Sequence, residues 1–317
     1  MTKAYIVSLA LALCLSMPAY SAKAGDGTGR DKLSEILKRS KIIVATHPDS
    51  QPRSQLNKGA ERKSDTLCFS NEHTLNEFYG FDIDVARIVA ERLGVEPCFV
   101  TPAWYEIIGG RWADRWDIAF ASVSITRERM DYLYYARPYI AEPSIFYIHQ
   151  DNTAYRHPED LSGKKVGTCA GCIFEYYLEG TLTLPGQPLV YSVKSPDIIA
   201  YDPNNLNDLF RELALGDGEK VDAVLADIFL GSTAISDGIP IKALGEPVFY
   251  TYIAPAFDKK QRSNPIPLIK KVNEIIDQLY EDGTLKQLAE KHFNFDTDVI
   301  TPASRFDFQA LKQYESQ

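Results

Sequence analysis

Outside its first two dozen positions the chain has no run of about 18 apolar residues, so its body contains no candidate membrane-spanning helix. Motifs for binding phosphates and dinucleotides are missing too: there is no G-x-x-x-x-G-K-[ST] and no G-x-G-x-x-G. Neither G-x-S-x-G nor H-E-x-x-H occurs, and the five histidines stand in unrelated contexts. No catalytic residue, resident metal or cofactor is therefore expected. Basic residues are in the minority, 34 against 43 acidic ones, for a formal charge of −9. A chain without a basic patch or stripe is a poor nucleic-acid binder. Internal repeats and low-complexity segments are absent as well.

What is present fits a soluble α/β protein. With 317 residues there is room for two ordinary domains, and 45% hydrophobic with 24% charged residues is globular composition. Residues 1–24 read as a cleavable signal peptide. Lys3 supplies the positive start, Ala4 to Met17 the apolar stretch and Ala22-Lys23-Ala24 the small-x-small cleavage pattern, leaving Gly25 as the mature start. Cys14, preceded by Leu13, is in a poor context for lipoprotein processing. Losing Lys3 and Lys23 and no acid takes the formal charge from −9 to −11. The product is expected free in the periplasm.

Cleavage leaves Cys68, Cys98, Cys169 and Cys172, an even number suited to disulfides in an oxidising compartment. A Cys68–Cys98 bridge would tie a polar loop to a strand. Cys169 and Cys172 form a C-x-x-C with no second one to complete a zinc site, so a local disulfide is expected there.

Hydrophobic periodicity predicts a helix over 31–39, a strand over 41–46 and a long polar loop over 47–77. An amphipathic helix over 82–93, stopped by Gly94, leads to a strand over 96–101, a helix over 105–113 and a strand over 117–121. After Pro143 a second unit has strands near 164–167 and 221–226, with helices over 174–178 and 206–215. An apolar crossing segment over 250–255 precedes helices over 267–280 and 284–292. Such α/β units place ligands at the carboxyl ends of their strands.

Several residues at those ends could bind a small ion. Ser122 and Ser124 follow a buried strand, and Arg129 lies about two turns on if a helix begins there. A guanidinium grips a carboxylate with two parallel hydrogen bonds. Asp227 ends a strand and suits either an ammonium group or the N-cap of the next helix. Trp104 could cover a ligand, and Gly171-Cys172 at a helix start could offer amides to an anion.

In this order the segments resemble the bacterial extracellular solute-binding proteins of family 3, which serve polar amino-acid ABC transporters. The resemblance is carried by Gly80-Phe81-Asp82-Ile83-Asp84, by Asp117 to Phe120 with Ser122-x-Ser124-Ile125-Thr126-x-x-Arg129, and by Pro138-Tyr139. Gly163 to Gly167, Val221-Asp222-Ala223 through Asp227, and Asp282-Gly283-Thr284 complete it, over roughly residues 40–296.

The resemblance implies a type II periplasmic binding protein fold, two α/β lobes joined by two hinge strands, with lobe 1 formed by 25–141 and 252–317 and lobe 2 by 142–251. It implies a zwitterionic ligand in the cleft. Arg129 would hold its carboxylate, helped by Ser122, Ser124 and amides near Gly171 and Cys172. Asp227 would hold its ammonium, and Trp104 would pack on it. The implied partners are that solute and an inner-membrane ABC permease, with the protein a monomer.

The sequence departs from the family's pattern at His47 and Ser50, where an acid and an aromatic are usual. It departs again at Gly171-Cys172-Ile173, in place of Gly-Thr-Thr, and in the length of the 48–77 loop. The same fold also serves cyclohexadienyl dehydratases, for which Glu142 would be the acid. It serves accessory proteins of quinoprotein alcohol dehydrogenases too, for which the altered loop and the C-x-x-C argue.

Overall fold

The structure is a computed structural model that describes residues 31–185, 188–203, 206–293 and 298–311. The expected leader and Cys14 lie outside these residues.

In chain order, α1 (Lys32–Arg39) leads into β1 (Lys41–Ala45), β2 (Asp49–Ser50), β3 (Ser54–Leu56) and β4 (Phe78–Tyr79). Then come α2 (Phe81–Leu93), β5 (Glu96–Val100), α3 (Trp104–Ile108), β6 (Ile118–Ala119), β7 (Leu133–Tyr135) and the long β8 (Ile140–His149). A second set follows: β9 (Lys165–Cys169), α4 (Ile173–Leu178), β10 (Asp197–Tyr201), α5 (Asn207–Leu213), β11 (Ala223–Asp227) and α6 (Ile228–Ser236). The long β12 (Ile241–Ile253), β13 (Ala256–Asp258), α7 (Ile266–Glu281), α8 (Thr284–His292) and α9 (Thr301–Ser304) complete it.

Two five-stranded sheets result, ordered β5-β1-β6-β13-β7 and β10-β9-β11-β8-β12. Each has a parallel centre: β1 is flanked by parallel β5 and β6, and β9 by parallel β10 and β11. Side chains buried on both faces explain the unbroken apolar runs that marked β1 and β11. The strands β8 and β12 pair antiparallel from Ile241↔His149 to Ile253↔Ile140, carrying the chain between the sheets. Among the described residues no helix is long and apolar enough to cross a membrane.

The periodic helices form where expected. Gly94 ends α2 in the left-handed conformation, φ 72°. Val85 and Val89 of α2 share a core with Ile269, Val272 and Ile276 of α7. The helix expected over 105–113 is shorter, because Gly109 and Gly110 end α3 at Ile108 and Gly110 adopts φ 64°. The 47–77 segment is not structureless: its β2 and β3 form a small sheet with β4, just beyond its end. Sequence patterning missed β7, β10 and β13, which at three to five residues are too short to show a period.

Both expected disulfides are formed. The Cys68–Cys98 bridge closes a separation of 30 residues, and chain-entropy reasoning assigns it about 3–4 kcal/mol. The Cys169–Cys172 bridge spans a separation of only 3, for which the same reasoning gives about half as much. The first stabilises the fold, whereas the second chiefly fixes a turn. Glu72 approaches the Cys68–Cys98 sulfurs. Those sulfurs are committed to each other, and Glu72 binds Lys41 Nζ at 2.9 Å.

One ion cluster joins the first turn of α2 to the end of α8. Asp84 Oδ2 accepts from Lys291 Nζ at 2.6 Å and hydrogen-bonds His292 Nε2 at 2.7 Å. Partial burial alone would raise the Asp84 pKa, but these partners hold it well below the carboxylate range. A depressed carboxylate adds stability that is complete above its unfolded pKa and is lost as pH falls through its folded one. Asp84→Asn is thus expected to cost about 1 kcal/mol at pH 7, allowing for solvent screening, and progressively less below about pH 4. Urea unfolding of both proteins at pH 7 and pH 3 measures this. An equal difference at both pH values would contradict it.

Candidate ligand-binding cleft

The carboxyl ends of the parallel strands in both sheets face one cleft. His47 and Ser50 follow β1, Trp104 opens α3 beyond β5, and Ala121 and Ser122 follow β6. From the other sheet come Cys169 at the end of β9, Cys172 beyond it and Asp227 at the end of β11. The cavity encloses about 570 Å³, its open mouth included, which suits a small molecule.

Arg129 reaches this cleft by a route the sequence did not suggest. No helix starts at Ser122. Ser124 instead bridges Ile253 antiparallel, and the chain turns only at a short 3₁₀ segment, Arg129–Asp131. The β-branched Val123, Ile125 and Thr126 favour that extended path. The Arg129 backbone N–H donates to Thr126 Oγ1 at 3.1 Å, which aims the side chain inward. Its Nη1 donates to the Ser124 carbonyl at 3.3 Å and its Nη2 to the Gly171 carbonyl at 3.4 Å. The Trp104 ring lies 5.3 Å from its guanidinium carbon.

Arg129 is 3% exposed, and among the described residues its Nε has no hydrogen-bond partner and no ion pair includes it. Burial lowers its pKa. Two long bonds to neutral carbonyls compensate a buried cation poorly.

Of the other anticipated residues, Ser122, Ser124, Cys172 and Asp227 line the cleft with their hydrogen bonds partly committed, while Gly171 stands behind the lining and meets Arg129 through its carbonyl. Ser122 donates its backbone N–H and its Oγ to Asp82 Oδ2, at 3.1 and 2.8 Å. The Gly171 N–H donates to Glu175 Oε2 at 2.6 Å, and the Cys172 N–H to the Cys169 carbonyl at 3.3 Å. Asp227 caps α6, its Oδ1 accepting the Leu230 N–H at 2.8 Å. Its Oδ2 accepts from Arg53 Nη2 at 3.3 Å.

Arg53 was missed in the sequence. It sits between β2 and β3 in the polar segment, is 5% exposed, and forms a second ion pair from Nη1 to Glu142 Oε1. Glu142, the acid a dehydratase would need, therefore lies in the cleft on β8 but bound to an arginine. The Arg53 N–H donates to the Ser50 carbonyl at 2.8 Å, and its own carbonyl accepts the Asp82 N–H at 2.9 Å. Gly80 makes this approach possible, since a Cβ there would fall 2.3 Å from the Arg53 oxygen. The glycine of Gly80-Phe81-Asp82 thus serves to seat Arg53.

The electrostatics follow from burial. Desolvation alone would lower the Arg53 pKa, but Glu142, Asp227 and Asp82 hold it above its usual value. Burial pushes Glu142 up to about 8, against the pull of Arg53, and Asp227 and Asp82 add to the rise. Burial also raises Asp82, with Arg53 and Ser122 opposing. His47 is lowered by burial.

Two α/β sheets linked by a pair of long strands, with strand-end side chains meeting at one cleft, define a two-lobed binding protein of the type II periplasmic fold. Residues 56–295 match the model of the bacterial extracellular solute-binding proteins, family 3, and the chain belongs to that family. It is 29% identical over 225 residues to the probable amino-acid-binding protein YxeM of Bacillus subtilis (strain 168), covering 69% of this chain and 78% of that one. It is 25% identical to the L-cystine-binding protein TcyJ of Escherichia coli (strain K12), covering 72% and 79%. Among solved structures, it resembles an ancestral amino acid-binding protein, a precursor of cyclohexadienyl dehydratase, with a TM-score of 0.65 at 25% identity. That match covers 83% of this chain and 100% of the other.

Proposed function

We propose that this protein is the periplasmic solute-binding component of an ABC transporter, closing its lobes on a small carboxylate-bearing solute, an amino acid or a derivative of one. The observation that carries this is Arg129: a buried, cleft-facing guanidinium without an ion-pair partner among the described residues. A ligand carboxylate would supply the missing counter-charge through a bidentate pair, with Trp104 against the guanidinium. The relatives' names, which describe amino-acid-binding and cystine-binding proteins, support the solute class and favour binding over catalysis. The leader expected at residues 1–24 supports export.

The test is a thermal-shift screen of the leaderless protein against amino acids, their derivatives, other carboxylates, polyamines and sugars. A solute at about a hundred times its dissociation constant adds roughly 2.7 kcal/mol of stability. Shifts confined to carboxylate-bearing solutes are expected, and shifts only with sugars or polyamines would contradict the reading.

A further inference from the structure

We infer that Arg53 is a built-in substitute for a ligand ammonium, so that the solute held by Arg129 is a carboxylate with no charged amino group beside it. This rests on the solute-binding reading above and specifies the chemical class of the solute.

Among the described residues lining the cleft, the only carboxylates are Glu142 and Asp227. Arg53 engages both, through Nη1 and Nη2 respectively. The second oxygen of Asp227 already accepts the α6 cap bond from the Leu230 N–H. A ligand ammonium would need a carboxylate to offset its desolvation and would find each one occupied by a guanidinium. It would also lie close to the positive charge of Arg53, which repels it.

Arg53 is poorly placed to step aside. Its backbone is pinned by the Ser50 and Asp82 hydrogen bonds and pressed against Gly80. Its side chain is buried, with Phe229 5.2 Å from the guanidinium carbon. Displacing it would expose two buried carboxylates at once. Arg129 meanwhile has no anionic partner among the described residues, so the cleft is completed by an anion rather than by a zwitterion.

Isothermal titration with matched pairs tests this. Each α-amino acid is compared with the same molecule lacking the amino group: phenylalanine with 3-phenylpropionate, glutamate with glutarate, arginine with 5-guanidinopentanoate. The wild type is expected to bind the deaminated member of its preferred pair at least tenfold more tightly. Arg53→Met, which frees Glu142 and Asp227, should reverse that preference. Arg53→Met/Glu142→Gln, which frees Asp227 alone, serves if the single variant does not fold.

An amino acid that binds the wild type more tightly than its deaminated partner overturns the inference and leaves the Arg129 grip standing. Binding of either member undiminished in Arg129→Met overturns the grip itself. Silence across all pairs overturns the carboxylate reading on which the inference rests.

Discussion

Replacing Arg129 with methionine is expected to weaken binding of the carboxylate solute by about 100-fold or more, while leaving the empty protein as stable as the wild type or more so. The two halves have one cause. In the empty cleft the guanidinium is desolvated and, among the described residues, hydrogen-bonds only to two carbonyls, at 3.3 and 3.4 Å. An apolar side chain of similar length removes that cost, and replacing buried charge by packed apolar atoms is often neutral or stabilising. In the filled cleft the methionine would leave a ligand carboxylate buried and unpaired, at a cost of roughly 3 kcal/mol or more. Titration calorimetry measures the first half and urea unfolding the second. A variant that loses stability by several kcal/mol would show Arg129 to be a structural ion, contrary to its role here.

Arg53→Met is expected to behave in the opposite way, destabilising the empty protein by about 3–5 kcal/mol. Here the charge is paired, and removing it strands Glu142 and Asp227 in a closed environment. Glu142 softens the loss by taking a proton. Its pKa, already raised to about 8 by burial, would rise further without the guanidinium. A carboxyl with a raised folded pKa stabilises the fold below its unfolded pKa and loses that contribution as pH climbs through the folded one. The destabilisation should therefore be larger at pH 9 than at pH 5.5, and Glu142→Gln in the same chain should restore part of it. Chemical unfolding of the three proteins at both pH values gives the answer. A loss below about 1 kcal/mol at pH 9 would mean the cluster is solvated.

The difference between these two arginines marks how far sequence reading went. Arg129 was legible because it follows a strand with two serines and sits in a motif that the whole family resemblance supports. Its route to the cleft was not, since the bridge from Ser124 to Ile253 is a contact between residues 129 apart in sequence, invisible to local periodicity. Asp227 was legible as a strand-end carboxylate with two alternative roles, and the capping bond to Leu230 is one of them.

Arg53 and Glu142 carried no pattern of their own. Arg53 lies in a polar segment, and its partners Glu142 and Asp227 are 89 and 174 residues away. The available sign was indirect: a glycine before Phe81-Asp82 with no turn to explain it. The fold was more open to reading, because helices such as α2 and α7 announce themselves by period and buried strands such as β1 and β11 by unbroken apolar runs. Short strands with mixed surroundings, β10 among them, leave no such trace.

A crystal structure of the protein with its solute bound is the sharpest test of the Arg129 grip. A carboxylate of the solute is expected within hydrogen-bond reach of both Arg129 Nη atoms, with Trp104 beside the pair and Arg53 still on Glu142 and Asp227. A solute bound in the cleft while Arg129 keeps only its Ser124 and Gly171 carbonyls would contradict it.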